Sequence, residues 1–402
     1  MLTNLKVRYQ KYHISQRAIQ ISPSGIRRFF DLLASIEGVI SLGVGEPDFA
    51  TPWHICEAAI ESLGKGQTMY TSNLGMPELR QKLSRYLKNN YNLEYDAGSE
   101  LLITVGVSEG LDLAMRAILN PGDEVIMPDP CYVAYAPCVV LAGGTPIMVP
   151  TNEKSNFELS AADIEARITS RTKAILIGYP ANPTGAVMSR DKLAKIAGVA
   201  KRHKLLVISD EIYAKLVYGT KHTCFATLPG MKENTILLGG FSKAYAMTGW
   251  RIGYAAGPGE IIDNMTKIHQ YTMMCVPTMG QVAAIEALKS GEDSAAEMVE
   301  DYNRRRLVII KGLCDIGLSC FEPKGAFYAF PSIKCTGMTS EEFAEGLLTE
   351  EKVAVVPGSA FGEHGEGYVR CCYATSLADI EEALARMKRF VDKHQKGRTS
   401  RK

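Results

Sequence analysis

The chain has 402 residues, of which 46% are hydrophobic and 22% are charged, and its 45 Lys and Arg nearly balance its 44 Asp and Glu. A net charge of +1 gives no general attraction to nucleic acid or to an anionic membrane, and this composition is typical of a globular protein. Hydrophobic cores usually split beyond roughly 250–300 residues, so we expect two domains. No apolar run approaches the ~20 residues that span a bilayer, so we expect no membrane-spanning segment. Because the net charge is also close to zero, we expect neither a membrane nor nucleic acid as a partner.

Ten cysteines are scattered along the chain, without a Cys-x-x-Cys pair or a cluster of Cys and His at zinc spacing. We therefore predict no metal site, and reduced, buried thiols of the kind found in cytoplasmic proteins. Cys371 and Cys372 fall inside a predicted strand, where successive side chains face opposite sides. The first thirty residues are basic but contain no apolar stretch, which argues against a secretory signal and favours the cytoplasm, with a basic presequence as the alternative.

From residue 101 onward, short apolar runs rich in Ile, Val and Leu alternate with segments of helical periodicity. The predicted strands lie at 101–106, 124–128, 145–150, 173–180, 205–211, 235–240 and 251–257. Helices are predicted at 161–169, at 189–203 and after the first strand, where Leu111, Ala114, Met115, Ile118 and Leu119 share one face. Continuous apolar strands are typical of a parallel sheet covered on both faces, so the pattern predicts a doubly wound α/β domain over about 46–285.

A predicted long helix at 293–316 leads into a segment of different composition. There the strand-like runs SCFEP, AFYAFP, AVVPG and YVRCCYAT alternate with predicted helices at 339–351 and 377–395. This alternation favours a smaller α+β domain. We accordingly divide the chain into a large domain (46–290) and a small C-terminal domain (291–402), to which the N-terminal segment (1–45) also belongs.

Three polar residues lie at or just beyond the ends of predicted strands. Asp210 ends the run LLVIS, Asn182 follows KAILIGYP, and Lys243 follows TILLGG. Each has an ordinary explanation alone, as a helix cap, a turn or a surface lysine. However, the carboxyl ends of parallel strands share one edge of a sheet, where ligands bind, so we expect the three side chains to converge there.

Two further features favour an anionic ligand at this edge. The backbone N–H groups of Gly106, Val107 and Ser108 lie at a predicted helix N-terminus, which attracts phosphate. Arg251 begins the next predicted strand and offers forked donors. A primary amine such as Lys243 beside an anion site suggests a Schiff base with a phosphorylated aldehyde.

These residues lie in segments that resemble, in order over nearly the whole chain, class I aminotransferases of the aspartate and aromatic group, which are fold type I pyridoxal-phosphate enzymes. The segments are SLGVGEPDF, MYTSNLGMPELR, PDPCYVAY, YPANPTG, SDEIY, GFSKAYAMTGWRIGY, PKGAFYAFP, VVPGSAFG and GYVRCCYATS. Archaeal aromatic aminotransferases and PatA-type acetyl-diaminopimelate aminotransferases are the most similar groups, the latter through IHQYTMMC. The resemblance implies an α/β fold with a mainly parallel central sheet, pyridoxal 5'-phosphate as cofactor, and transfer of an amino group from an L-amino acid (aspartate, aromatic or related) to a 2-oxo acid such as 2-oxoglutarate.

The resemblance also implies roles for individual residues. Lys243 matches the lysine that bonds the cofactor and then moves a proton, and Asp210 matches the partner of the pyridine nitrogen. Tyr213 and Asn182 match the donors to the ring's 3-oxygen. The other implied cofactor contacts are Gly106, Val107, Ser108 and Arg251 at the phosphate, Ser242 as a further donor, and Tyr132 stacked on the ring.

Three more residues receive roles from the resemblance. Arg370 matches the arginine that grips the substrate α-carboxylate, and Gly45 matches a glycine whose backbone meets the substrate. Tyr70 matches a tyrosine that reaches the phosphate of the neighbouring subunit, which implies a homodimer with shared active sites.

One position departs from the family pattern. Three residues before Lys243, many relatives carry a serine that binds phosphate, whereas this chain has Gly240, where only the backbone can contribute. No motif marks an arginine for a distal substrate carboxylate. The candidates are Arg27, Arg28, Lys267 and His269, and each has an ordinary structural or surface role as its alternative.

Other functions stay open on the sequence alone. A carbon–sulfur lyase of the same fold would use the same cofactor. A non-catalytic pyridoxal-phosphate regulator would normally add a DNA-binding module, for which these motifs leave no room. A nicotinamide enzyme is disfavoured, because GVGEPD at 43–48 lacks the third glycine of a dinucleotide fingerprint.

Overall fold

A seven-stranded sheet forms the centre of the computed structural model, which describes residues 13–23 and 37–395. The N-terminal part contains α1 (Gln16–Gln20), β1 (Ile40–Ser41), α2 (Trp53–Gly64) and α3 (Pro77–Tyr91). The central part runs β2 (Leu101–Thr104), α4 (Gly106–Ile118), β3 (Glu124–Asp129), α5 (Tyr135–Leu141), β4 (Thr145–Pro150), α6 (Ala161–Glu165), β5 (Thr172–Gly178), α7 (Arg190–Arg202), β6 (Leu206–Asp210), β7 (Thr235–Gly240) and β8 (Gly253–Ala256). The C-terminal part runs α8 (Gly259–Thr272), α9 (Thr278–Ser290), α10 (Glu292–Asp315), β9 (Tyr328–Ala329), α11 (Ser340–Glu351), β10 (Val353–Ala354), β11 (Val356–Pro357), β12 (Val369–Cys372) and α12 (Leu377–His394).

The large sheet has the strand order β2-β8-β7-β6-β5-β3-β4 and is parallel except at β8. Both of its faces are covered. Along β2, Leu101 and Ile103 pack with Leu79 of α3, whereas Leu102 packs with Leu111 of α4. Burial on both faces explains why the strands are apolar throughout, and it confirms the predicted α/β fold with a mainly parallel sheet.

Strand β8 differs from its prediction in length and direction. It begins at Gly253 rather than at Arg251, and it runs antiparallel to both of its neighbours. An apolar run buried on both faces looks alike in either direction, so the sequence pattern could not reveal the reversal. Because of it, the amino end of β8 lies at the sheet edge that holds the carboxyl ends of the other strands, and Arg251 precedes β8 at this edge.

Helix α6 is also shorter than predicted, ending at Glu165 instead of residue 169. Beyond its end, the Thr169 N–H bonds to the Thr172 hydroxyl, and the Thr169 hydroxyl donates to Glu124. Threonine side chains that bond to nearby backbone groups compete with helix formation, which accounts for the early end.

A second group of strands lies in the C-terminal part. Strands β11, β12 and β9 form an antiparallel sheet, and β10 pairs in parallel with β1 from the N-terminal segment. Helices α11 and α12 pack through the rings of Phe343 and Phe390, whose centroids are 5.2 Å apart. In the N-terminal segment, Arg17 of α1 donates to the Leu141 carbonyl of α5. The domain boundaries proposed from the sequence stay a prediction.

All ten cysteines are free thiols. Cys131, Cys224, Cys371 and Cys372 are buried as expected, but Cys314 on α10 is exposed, so the expectation of uniformly buried thiols was wrong. Within residues 13–23 and 37–395, no helix is long and apolar enough to span a membrane. The same described ranges contain no group of three or more His, Cys, Asp or Glu able to hold a metal ion.

Candidate active site

Lys243, Asp210 and Asn182 converge at one edge of the large sheet. Asp210 ends β6, while Asn182 and Lys243 lie shortly beyond the ends of β5 and β7. All three line a cavity of about 330 Å³. Other predicted site residues also line it, namely Gly45, Val107, Ser108, Tyr132, Tyr213, Ser242, Arg251 and Arg370.

The Lys243 amine is enclosed and has a backbone partner. Its Nζ donates to the Gly45 carbonyl at 2.7 Å. Burial lowers the pKa of Lys243 to about 8, and the positive charges of Arg370 and Arg251 act in the same direction. A lowered pKa increases the fraction of neutral amine, which is the nucleophilic and basic form.

The Asp210 carboxylate is held by two donors. The Tyr135 hydroxyl donates to its Oδ2 at 2.9 Å, and the Ile212 N–H donates to its Oδ1 at 3.2 Å. Burial raises the pKa of Asp210 to about 6, against the lowering effect of these hydrogen bonds. A buried carboxylate at the end of a strand can receive an N–H donor from a bound ring.

Arg370 links the two sides of the cavity. It lies on β12, and its Nη1 donates to the Asn182 Oδ1 at 2.9 Å. Its Nη2 donates to the Gly43 carbonyl at 2.7 Å. The guanidinium lies 4.5 Å from the centroid of the Tyr328 ring, and this packing fixes its plane. Among the described residues its buried Nε has no hydrogen-bond partner.

The predicted anion cradle forms where α4 begins and β8 starts. Gly106 has a φ of +73°, and a Cβ at this position would lie 2.4 Å from Nη2 of Arg251. A Cβ on Gly253 would lie 2.6 Å from the backbone nitrogen of Val107. These glycines therefore allow the helix N-terminus and the guanidinium to approach, and both features attract an anion. Gly106 borders this cradle but does not itself line the cavity.

Several predicted residues do not converge on the cavity. Tyr70 is 82% exposed and lies outside its lining. Two of the four candidates for a distal carboxylate are also engaged elsewhere, since His269 is buried against Glu109 at 2.7 Å and Lys267 pairs with Asp263 at 2.6 Å. The other two, Arg27 and Arg28, lie outside the described residues.

Sequence reasoning missed two tyrosines of the site. Tyr135 bonds to Asp210, and the Tyr328 hydroxyl lies 2.7 Å from that of Tyr213. Both tyrosines line the cavity. Each belongs to a segment that carries the family resemblance, PDPCYVAY or PKGAFYAFP, and that membership was the available signal.

Comparisons with known proteins identify the family. A family model described as aminotransferase class I and II matches residues 37–387. The chain is 58% identical over 381 residues to the putative aminotransferase YugH of Bacillus subtilis, covering 95% of this chain and 99% of that protein. It is 48% identical to an aspartate aminotransferase of Pyrococcus abyssi, over 94% of this chain and 98% of that protein. The solved aromatic aminotransferase of Pyrococcus horikoshii matches with a TM-score of 0.87 and 45% identity, over 92% of this chain and 99% of that one.

The chain therefore belongs to the class I and II aminotransferases, which are pyridoxal-phosphate enzymes of fold type I. It is an aminotransferase that uses pyridoxal 5'-phosphate and acts on an amino acid and a 2-oxo acid. This membership confirms the resemblance stated from the sequence and favours amino transfer over the lyase and regulator alternatives.

The residues of the cavity fit this cofactor. The cradle at Gly106 and Gly253 is free of Cβ atoms and is bordered by Arg251, as a phosphate group requires. An enclosed amine at Lys243 and a buried carboxylate at Asp210 match the aldehyde and the ring nitrogen.

Proposed function

We propose that Lys243 is the catalytic base and the residue that bonds the cofactor. When bound, pyridoxal phosphate supplies the aldehyde that takes the amino group and a ring that accepts electrons from the Cα–H bond. Lys243 removes the proton from the substrate Cα and returns one to the carbon that receives the amino group. Its enclosed position and lowered pKa support this role, because the neutral amine is needed to take a proton.

Asp210, Tyr213 and Asn182 would hold the cofactor ring. Asp210 receives the ring N–H, which favours the protonated ring, while Tyr213 and Asn182 donate to the 3-oxygen. Support comes from their shared cavity and from the position of Asp210 at the end of β6. Tyr132, which also lines the cavity, is proposed to stack on the ring.

The phosphate would lie at the beginning of α4. The N–H groups of Gly106, Val107 and Ser108 and the guanidinium of Arg251 provide its donors, and Ser242 is a further candidate. The Cβ-free cradle supports this placement. Gly240 lies against this region, since a Cβ there would be 3.2 Å from Cα of Gly253.

Arg370 would bind the substrate α-carboxylate, and Gly45 would contact the substrate through its backbone. The observation that carries this proposal is the Arg370 guanidinium, which lines the cavity and packs on the Tyr328 ring. A guanidinium held in a fixed orientation in a cavity wall can form a charge-assisted bond to a carboxylate.

The amino donor is proposed to be aspartate, an aromatic amino acid or a related L-amino acid, with 2-oxoglutarate as the acceptor. Support comes from the relatives, one of which is named an aspartate aminotransferase and another an aromatic aminotransferase. Tyr132 and Tyr328 in the cavity wall would offer ring contacts to an aromatic side chain.

A screen of amino donors against 2-oxoglutarate tests the reaction and the substrate together. The spectrum of the bound cofactor is followed with each donor alone, and products are then quantified. We expect one new amino acid and one 2-oxo acid in equal amounts. Release of ammonia instead would favour the lyase alternative. Lys243→Ala is the control, and it should abolish both steady turnover and the absorbance band of the lysine-bound cofactor.

We further propose a homodimer with shared active sites, in which Tyr70 reaches the phosphate of the other subunit. Met69, Tyr70, Tyr271 and Met273 are each at least 52% exposed, and a hydrogen bond from the Asn73 side chain to the Met274 carbonyl brings their two segments together. Exposed patches of this kind mark interaction surfaces.

A cytoplasmic location is also proposed, because all ten cysteines are free thiols and such thiols persist in reducing compartments.

A further inference from the structure

Tyr135 is a buried residue to which the proposed roles assign nothing. It begins α5, has 4% of its surface exposed, and donates its hydroxyl hydrogen to Asp210 at 2.9 Å. Its ring also meets the Tyr132 ring edge to face, with centroids 5.6 Å apart. The phenol therefore lies between the ring proposed to stack on the cofactor and the carboxylate proposed to bind it.

Gly178 makes room for this contact. It ends β5 and is paired with Asp210 across the parallel ladder. A Cβ at Gly178 would lie 2.1 Å from the Tyr135 hydroxyl oxygen, well inside contact distance. Any residue other than glycine would displace the phenol, so the backbone of β5 is matched to the Tyr135–Asp210 hydrogen bond.

We infer that Tyr135 is a positioning residue for Asp210, which holds the carboxylate in orientation and favours its anionic form for the cofactor ring. This inference rests on the proposed function of Asp210. A hydrogen bond to a charged acceptor is stronger than one between neutral groups, and burial strengthens it further. The Ile212 N–H supplies the second donor, so each carboxylate oxygen has one.

The hydrogen bond from Tyr135 opposes two effects that disfavour the anion. Burial and, to a smaller extent, the charge of neighbouring Glu211 raise the pKa of Asp210, which reaches about 6. Glu211 is itself bonded to His222 at 2.6 Å. Removal of the Tyr135 hydroxyl should therefore raise the pKa of Asp210 and weaken cofactor binding most in acidic solution.

Tyr135→Phe tests this inference, because it removes one oxygen and keeps the ring. The dissociation constant of pyridoxal phosphate is measured by equilibrium dialysis from pH 5 to pH 9. We expect about tenfold weaker binding at pH 7, and an acidic midpoint that rises by about 1 pH unit. Tyr218→Phe is the matched control: that buried hydroxyl donates to the Ala326 carbonyl, and its loss should leave the midpoint unchanged.

Gly178→Ala provides an independent route to the same loss. Alone, it should weaken binding in the same direction as Tyr135→Phe. The double variant should lose no more than the larger single effect, because both changes remove one hydrogen bond. Additive losses, or an unshifted midpoint in Tyr135→Phe, would overturn the inference.

Asp210→Asn separates this inference from the proposed function. If that variant binds weakly and loses the acidic midpoint while Tyr135→Phe behaves like the wild type, the inference fails and the role of Asp210 stands. If Asp210→Asn binds like the wild type at every pH, the proposed role of Asp210 fails and the inference fails with it.

Discussion

Lys243 shows how an ordinary lysine acquires an unusual environment. Its ammonium form is disfavoured by burial and by two arginines, and its Nζ contacts a backbone carbonyl rather than a carboxylate. The folded-state pKa of about 8 lies below the usual 10.5. Below pH 8 the amine is charged in both the folded and the unfolded state, so folding bears the full cost of burying a charge.

This cost predicts a pH-dependent stability difference. Between about pH 8 and 10.5 the folded state loses its proton while the unfolded state keeps it, so the cost declines as the pH rises. Lys243→Met in the apoprotein should therefore be more stable than the wild type by about 3 kcal/mol at pH 7. The difference should shrink towards pH 10. Urea unfolding at both pH values measures it, and a constant difference would contradict the buried-charge explanation.

Among individual residues, the sequence identifies the site residues that end strands or belong to motifs. Lys243, Asp210 and Asn182 are of this kind. Tyr135 and Tyr328 were missed because their roles depend on hydrogen bonds to residues 75 and 115 positions away. Such contacts are set by tertiary packing, which local patterns do not encode.

The apolar patterns predict most of the strands and helices that carry the site, and the errors in these predictions have physical causes. The strands at 145–150 and 235–240 match their predictions in full. The direction of β8 and the end of α6 do not follow, because burial is the same in either strand direction and the threonine bonds beyond α6 form only in the folded state.

The turn between β2 and α4 offers a test of the anion cradle. Gly106→Ala would place a Cβ 2.4 Å from Arg251 and strain a φ of +73°, so pyridoxal-phosphate affinity should fall by at least about tenfold. Gly122→Ala is the matched control, since its φ is +89° but a Cβ there would meet no atom within 4 Å.

Thermal unfolding and cofactor titration of both glycine variants separate strain from binding. Both should lose stability by about 1 kcal/mol from the left-handed backbone. Only Gly106→Ala should lose affinity. Equal pyridoxal-phosphate affinities in the two variants would show that this turn does not bind the phosphate.

For the whole molecule, the proposed sharing of active sites predicts that two inactive variants can complement each other in a mixed dimer. If Tyr70 serves the other subunit, a mixed dimer of Lys243→Ala and Tyr70→Ala contains one intact site. Co-expression in equal amounts should therefore restore about one quarter of wild-type activity. Mixing Lys243→Ala with Arg251→Ala is the control and should restore none, because both residues lie in one subunit's cavity. Equal restoration in the two mixtures would exclude the proposed sharing.

The pairing of β1 with β10 has a consequence for synthesis. Ile40 is paired with Val353, and just beyond β1 the carbonyls of Gly43 and Gly45 accept hydrogen bonds from Arg370 and Lys243. On the ribosome, every strand of the large sheet emerges before residues 353–370. The nascent chain can thus form its central sheet early. The segment that carries the Gly43 and Gly45 carbonyls gains its β10 anchor only after residues 353 and 354 have emerged.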